Sequence, residues 1–255
     1  IGLDGRILLR SDNTSILVPT GHWSFIRMLA ISGMLAELKR ADIPFIFHSN
    51  MNNPSAGVTA AFKGIFLREI EKAKKDGRPV PVSMWLLGNN RGEKGGLFSI
   101  VEYENGARIM QLVEGSALPI ETKKLINCLT KSEAELTPEE KEYLISQGIS
   151  QMDDASRLNE FTLRFPYFNT ASFMLSIEGL MELFNLPPDY NKIISFDEVI
   201  KRVDAVTNRL PVYMDKRREG ESEGYQLERI YGDLTAILPW IPLLVDRNRH
   251  FTPVK

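Results

Sequence analysis

The sequence predicts an α/β fold built on a helix-covered, mainly parallel sheet. Two observations carry this. The strand candidates are short, continuous apolar runs bounded by polar, Pro or Gly residues, the pattern of strands buried on both faces. The segments between them repeat apolar residues at steps of three and four, as amphipathic helices do. A βαβα order of this kind argues for parallel strands with helices packed over them.

Taken in order, residues 16–18 and 43–47 read as buried strands. Between them, Phe25, Met28, Leu29, Ser32, Leu35 and Leu38 line one helical face, with Ser24 as the N-cap. A second helix covers 59–75, with Phe62, Ile65, Phe66 and Ile70 inward and Gly77 and Pro79 ending it. Residues 80–87 give the next strand. Residues 97–103 and 108–113 flank Glu104-Asn105-Gly106, whose Asn-Gly pair predicts a type I′ hairpin turn. The stretch 119–160 is polar and acidic and reads as a helical surface insertion. Within it, Thr137-Pro138-Glu139-Glu140 is a helix start, with capping Thr, Pro in the first turn and Glu three residues on. Residues 170–175 return to strand and 177–184 to helix, stopped by Pro187 and Pro188. Further helices are expected at 196–203 and 226–238, with a charged, Gly-interrupted loop at 216–224.

A chain of 255 residues buries a substantial core, as one large α/β domain or two small ones. Its 43% apolar and 25% charged residues are the balance of a soluble globular protein. A net charge of −2 supplies no field to attract nucleic acid. Cys128 is the one cysteine, which excludes an intrachain disulfide and a cysteine-rich zinc site. That fits a reducing compartment, the cytoplasm or an organelle stroma, rather than secretion. No apolar run approaches the roughly 20 residues that span a bilayer, so no membrane partner is expected.

Four segments carry candidate chemistry. Val18-Pro19-Thr20-Gly21-His22 joins a strand to a helix, which aims backbone N–H groups and a helix N-terminus at a phosphate; the bland reading is a hydrogen-bonded structural histidine. Ser49-Asn50-Met51-Asn52-Asn53 follows a strand, where α/β sheets bind ligands, or is a polar turn. Lys94-Gly95-Gly96 lets the backbone approach a ligand closely, or simply turns tightly. Arg247, Arg249 and Lys255 make the C-terminal segment basic, suited to phosphate or merely solvated.

In this order and at these separations, the segments resemble the UTP-dependent sugar-1-phosphate uridylyltransferases, the UDP-glucose pyrophosphorylase family. The resemblance implies a Rossmann-like, glycosyltransferase A-like nucleotidyltransferase domain with a mixed, mainly parallel sheet. It implies UTP, UDP-sugar and sugar 1-phosphate as ligands, Mg²⁺ as cofactor, and glucose 1-phosphate or an N-acetylhexosamine 1-phosphate as the sugar substrate. Carried over by position, Gly21 lies against the uracil, His22 and Lys255 reach phosphate as the catalytic pair, and Asn50, Gly95 and Gly96 line the substrate. Glu114, at the end of Leu112-Val113-Glu114, and Asn169, in Phe168-Asn169-Thr170, take the sugar. Gln226-Leu227-Glu228 matches a segment with a mainly positional role.

The chain departs from the family in places. Trp23 and Ser24 stand where the family has Gly and Asp, so Trp23 is expected to reshape the pocket rim. Asn52 stands at the position of the Asp that binds magnesium; an amide brings no negative charge, whereas hard cations favour carboxylates. The resemblance covers 17–255, with 119–160 as insertion, and lacks the family's Gly-rich triphosphate loop and C-terminal β-helix domain. Residues 1–255 are therefore expected to be one nucleotidyltransferase-like domain of a longer chain, weakly active or inactive alone. A non-catalytic sugar-nucleotide-binding module and a purely structural fragment remain the other classes.

Overall fold

The computed structural model describes residues 21–49, 53, 55–90, 92, 96–219 and 222–251. Its elements begin with α1 (Trp23–Ile31), α2 (Met34–Arg40), β1 (Phe45–His48), α3 (Ala60–Lys75) and β2 (Ser83–Asn89). The hairpin β3 (Leu97–Glu102) and β4 (Arg108–Val113) precedes α4 (Ile120–Thr130), α5 (Pro138–Ser146), α6 (Asp154–Arg164) and β5 (Tyr167–Ser176). Then come α7 (Ile177–Leu183), α8 (Tyr190–Ile193), α9 (Phe196–Thr207), β6 (Tyr213–Glu219) and β7 (Ser222–Glu228). Last are α10 (Leu234–Ile237), β8 (Trp240–Leu244) and α11 (Arg247–His250). The chain divides into two units, one running to Phe45 and resuming over Ser176–Ile237, the other taking Ile46–Leu175 and the residues from Leu238 on.

In the first unit the long helix read from the sequence breaks in two. Gly33 takes a left-handed φ of 81° and begins α2, a conformation glycine adopts without steric cost. The apolar stripe survives the break, since α1 buries Trp23, Ile26 and Ala30 and α2 buries Leu35 and Ala36. Trp23 is 2% exposed, and its indole N–H donates to the Thr207 hydroxyl at 3.0 Å. Its bulk therefore fills the core beside α9, and the expected effect on a pocket rim is not seen. Ser24 is not the N-cap; it sits inside α1 and donates its hydroxyl to the Gly21 carbonyl at 2.6 Å.

The expected loop at 216–224 and helix at 226–238 are corrected to an antiparallel hairpin. Met214 faces Leu227 and Lys216 faces Tyr225 across β6 and β7. Gln226 is buried between the exposed Tyr225 and Leu227. That two-residue alternation outweighs the helical spacing, and Gly224 would weaken a helix there. Only the short α10 remains of the expected helix.

The second unit holds a sheet ordered β4-β3-β5-β2-β8, with β1 also paired to β5. β2 is buried from Ser83 to Gly88, matching its continuous apolar run. Trp85 stacks on Phe173 of β5 at 4.5 Å between ring centres. The α/β fold and mixed sheet stand, but the parallel majority does not. Among the described pairs with a defined register, β2–β8 is parallel, while β2–β5, β3–β4 and β3–β5 are antiparallel. Strand β5 causes this by returning between β2 and the hairpin against both. The strand expected at 16–18 lies outside the described residues.

The β3–β4 turn is not type I′. Gly106 alone has positive φ (78°), and its N–H donates to the Tyr103 carbonyl at 2.8 Å while the Tyr103 N–H donates to Ala107. That is a three-residue loop with glycine in the left-handed position. One face of the hairpin, through Leu97 and Val113, packs on α4 and α6 through Leu125, Ile126, Leu129 and Phe161 in a second hydrophobic core. At α5, Thr137 accepts the Glu140 N–H at 3.2 Å and Glu140 accepts the Thr137 N–H at 3.0 Å, the reciprocal cap its sequence encodes.

Candidate functional site

Register places several strand ends along one edge of the sheet in the second unit. Leu97 pairs with both Val113 and Phe168, so the start of β3, the end of β4 and the start of β5 coincide. Leu87 pairs with Asn169 and with Leu244, which brings the carboxyl ends of β2 and β8 to the same edge. Ligands of open α/β sheets bind beyond such carboxyl ends.

Gly96, Glu114 and Asn169 meet here. The Asn169 N–H donates to the Gly96 carbonyl at 2.8 Å. The Glu114 carboxylate lies directly over Gly96, where an added Cβ would come within 3.0 Å of its Oε2. Glycine is thus needed for the close approach of that side chain. The β2–β5 register slips between Leu86 and Leu87, and Ala171 takes φ of 54°. Asn169 accepts the Ala171 N–H on its side-chain oxygen at 2.9 Å, and Thr170 donates to the Leu86 carbonyl at 2.7 Å. A bulge of this kind re-aims a side chain, and non-glycine residues with positive φ cluster at functional sites.

The C-terminal segment is fastened to the same edge. Phe251 meets Phe168, the neighbour of Asn169, edge-on at 4.8 Å. The Arg247 guanidinium stands 5.7 Å from the Phe168 ring centre and 5.4 Å from that of Phe251. Asn53 donates its side-chain amide to the His250 carbonyl at 2.9 Å, and the His250 ring lies 5.0 Å from Phe62 of α3. Phe168 is itself locked by Gly88, where a Cβ would sit 2.7 Å from its ring. Sequence reading assigned no role to Asn53, Phe62 or Gly88; Asn53 was visible only as the last residue of the Ser49–Asn53 motif.

In the first unit, Gly21 and His22 form the turn into α1. Gly21 has φ of 91°, and a Cβ there would fall 2.3 Å from the Arg229 carbonyl oxygen. The Trp23 N–H donates to that oxygen at 3.2 Å, while Ser24 and Phe25 donate their N–H groups to Gly21 and His22. These amides already have protein acceptors, so the exposed His22 side chain is what the turn presents outward. Its ring lies 4.9 Å from that of Tyr231. Nearby in sequence, Tyr213 donates to Asp233 at 2.9 Å, and burial pushes the Asp233 carboxyl up to about 6 against an opposing push from that hydrogen bond.

Asn50, Asn52, Gly95 and Lys255 lie outside the described residues. For magnesium the donor set fits poorly. Position 52 carries an amide, and among the described residues no group of three His, Cys, Asp or Glu side chains comes together to hold a metal. No helix among them is long and apolar enough to cross a membrane.

No known protein-family profile matches the chain, and no curated protein matches it closely. Solved structures do. A UDP-glucose pyrophosphorylase mutant from Leishmania major, in complex with UDP-glucose, superposes with a TM-score of 0.56 at 18% identity, covering 96% of this chain and 44% of that one. A UDP-glucose phosphorylase from Trypanosoma brucei gives 0.57 at 17% identity, over 96% of this chain and 43% of that one. A putative UDP-N-acetylglucosamine pyrophosphorylase from Entamoeba histolytica gives 0.55 at 14% identity, over 100% of this chain and 50% of that one. The chain spans about half the length of these structures or less. Over nearly all of its own length, it has the α/β fold of the UDP-sugar pyrophosphorylases.

Proposed function

We propose that the chain is a uridylyltransferase-like domain that binds a UDP-sugar, UDP-glucose or a close relative. In the corresponding reaction an oxygen of the sugar 1-phosphate attacks the α-phosphorus of UTP, the bond to the β-phosphate breaks, and pyrophosphate leaves. Such chemistry asks the protein for positioning and charge neutralisation. Glu114 and Asn169 would hold the sugar, with Gly95, Gly96 and Asn50 shaping its surroundings. Gly21 would lie against the base, and His22 and Lys255 would meet phosphate. Residues 119–160 would be an insertion outside this site, and the rest of a longer chain a covalent partner.

The observation that carries the reading is the Gly96–Glu114–Asn169 cluster at the ligand edge of the sheet, reached independently from the motifs and from the register. A second reading, a sugar-nucleotide-binding module without catalysis, is favoured by the amide at Asn52. Magnesium is an expectation from the family, and no step here is routed through it.

Calorimetric titration with UDP-glucose and with UDP tests the shared part of both readings. Sugar contacts predict tighter binding of UDP-glucose, with the advantage reduced in Glu114→Ala. Equal affinity for UDP and UDP-glucose would remove the sugar assignment. Pyrophosphate release from UTP and glucose 1-phosphate separates the two readings, with turnover near background predicted for this chain.

A further inference from the structure

We propose that Asn53 is a positioning residue that sets the C-terminal segment, and through it Lys255, against the sugar end of the site. The proposal rests on the uridylyltransferase-like reading, in which Lys255 meets phosphate. Asn53 is only 3% exposed, and its amide reaches across 197 residues of sequence to the His250 carbonyl at 2.9 Å. That carbonyl ends the short α11, where the last C=O groups have no partner inside the helix. The His250 ring beside Phe62 and the Phe251 ring against Phe168 fix the same turn of chain from two further sides. Five residues of chain reach at most roughly 17 Å, so holding His250 confines Lys255 to that radius. Asn53 also adjoins Asn52 and lies three residues after Asn50, so one side chain couples the Asn-rich loop to the basic terminus.

Backbone hydrogen exchange reads the anchor without any ligand. Asn53→Ala should accelerate exchange at the Phe251 amide, which donates to the Arg247 carbonyl at 2.8 Å; unchanged exchange there overturns the proposal. Calorimetry with UDP-glucose reads its consequence. Loss of one buried hydrogen bond should weaken binding roughly tenfold in Asn53→Ala. Asn53→Asp should match it, because a carboxylate cannot donate to a carbonyl. Combined with Lys255→Ala, Asn53→Ala should add nothing, since both act through the same contact. Additive losses, or an Asn53→Asp protein that binds like the parent, overturn the positioning role. Phe62→Leu, which removes the ring beside His250 and spares the amide, repeats both measurements should Asn53→Ala fail to fold. A parent chain that does not bind UDP-glucose defeats the functional reading instead; faster exchange in Asn53→Ala then upholds the anchor, and unchanged exchange overturns it.

Discussion

Gly21 shows what a single residue is asked to do here. Its φ of 91° and the Arg229 carbonyl 2.3 Å from any Cβ leave no room for a side chain, and the obstacle is backbone that cannot rotate aside. Gly21→Ala should lower stability by about 2–5 kcal/mol, the sum of left-handed strain and overpacking. Chemical denaturation checks this, and a loss below about 1 kcal/mol would mean the turn moves freely. Asp233 gives a pH signature. Its carboxyl titrates at about 6 when folded against an ordinary 3.8, so the folded state holds the proton more tightly. The resulting stability is complete below the unfolded value and is lost as pH rises through about 6. Asp233→Asn mimics the protonated form, and its melting temperature should gain on the parent's as pH climbs from about 4 to about 7. A gap that ignores pH would refute the account. At this scale the motifs revealed Gly96, Glu114 and Asn169, because each lies in a recognisable local pattern. Asn53 and Gly88 escaped because their partners, His250 and Phe168, are remote in sequence.

Elements were legible where local chemistry decides them. Thr137, Pro138 and Glu140 specify the start of α5 without help from the rest of the fold. Thr137→Ala should therefore cost about 1 kcal/mol, measured by denaturation, and no change would show that the cap is redundant. Residues 59–75 were similarly clear, and Thr59 does cap α3. Elements were misread where pairing decides them. The run from Met214 to Leu227 carries charges and glycine that look like a loop, and only cross-strand partners such as Lys216 and Glu223, 2.8 Å apart, make it a hairpin. Ser32 and Gly33 hid a helix break inside an unbroken apolar stripe, since the stripe reports which face is buried and not whether the backbone is continuous. The direction of β5 was invisible for the same reason: a continuous apolar run reads alike in either sense.

For the whole molecule, the likeness to UDP-sugar pyrophosphorylase structures reaches 96–100% of this chain at only 14–18% identity. The α/β class was readable in the sequence because burial imposes apolar runs and helical stripes whatever the residues. The sheet edge that gathers Gly96, Glu114 and Asn169 was not, because register exists only once strands are paired. The central claim, that this edge holds the sugar of a UDP-sugar, is tested most directly by hydrogen exchange with and without UDP-glucose. The account predicts slower exchange on ligand addition at Gly96, Glu114 and Asn169–Ala171, beyond the protection UDP alone confers. Protection by UDP-glucose confined to other segments, or none at these residues while the ligand is demonstrably bound, would contradict it.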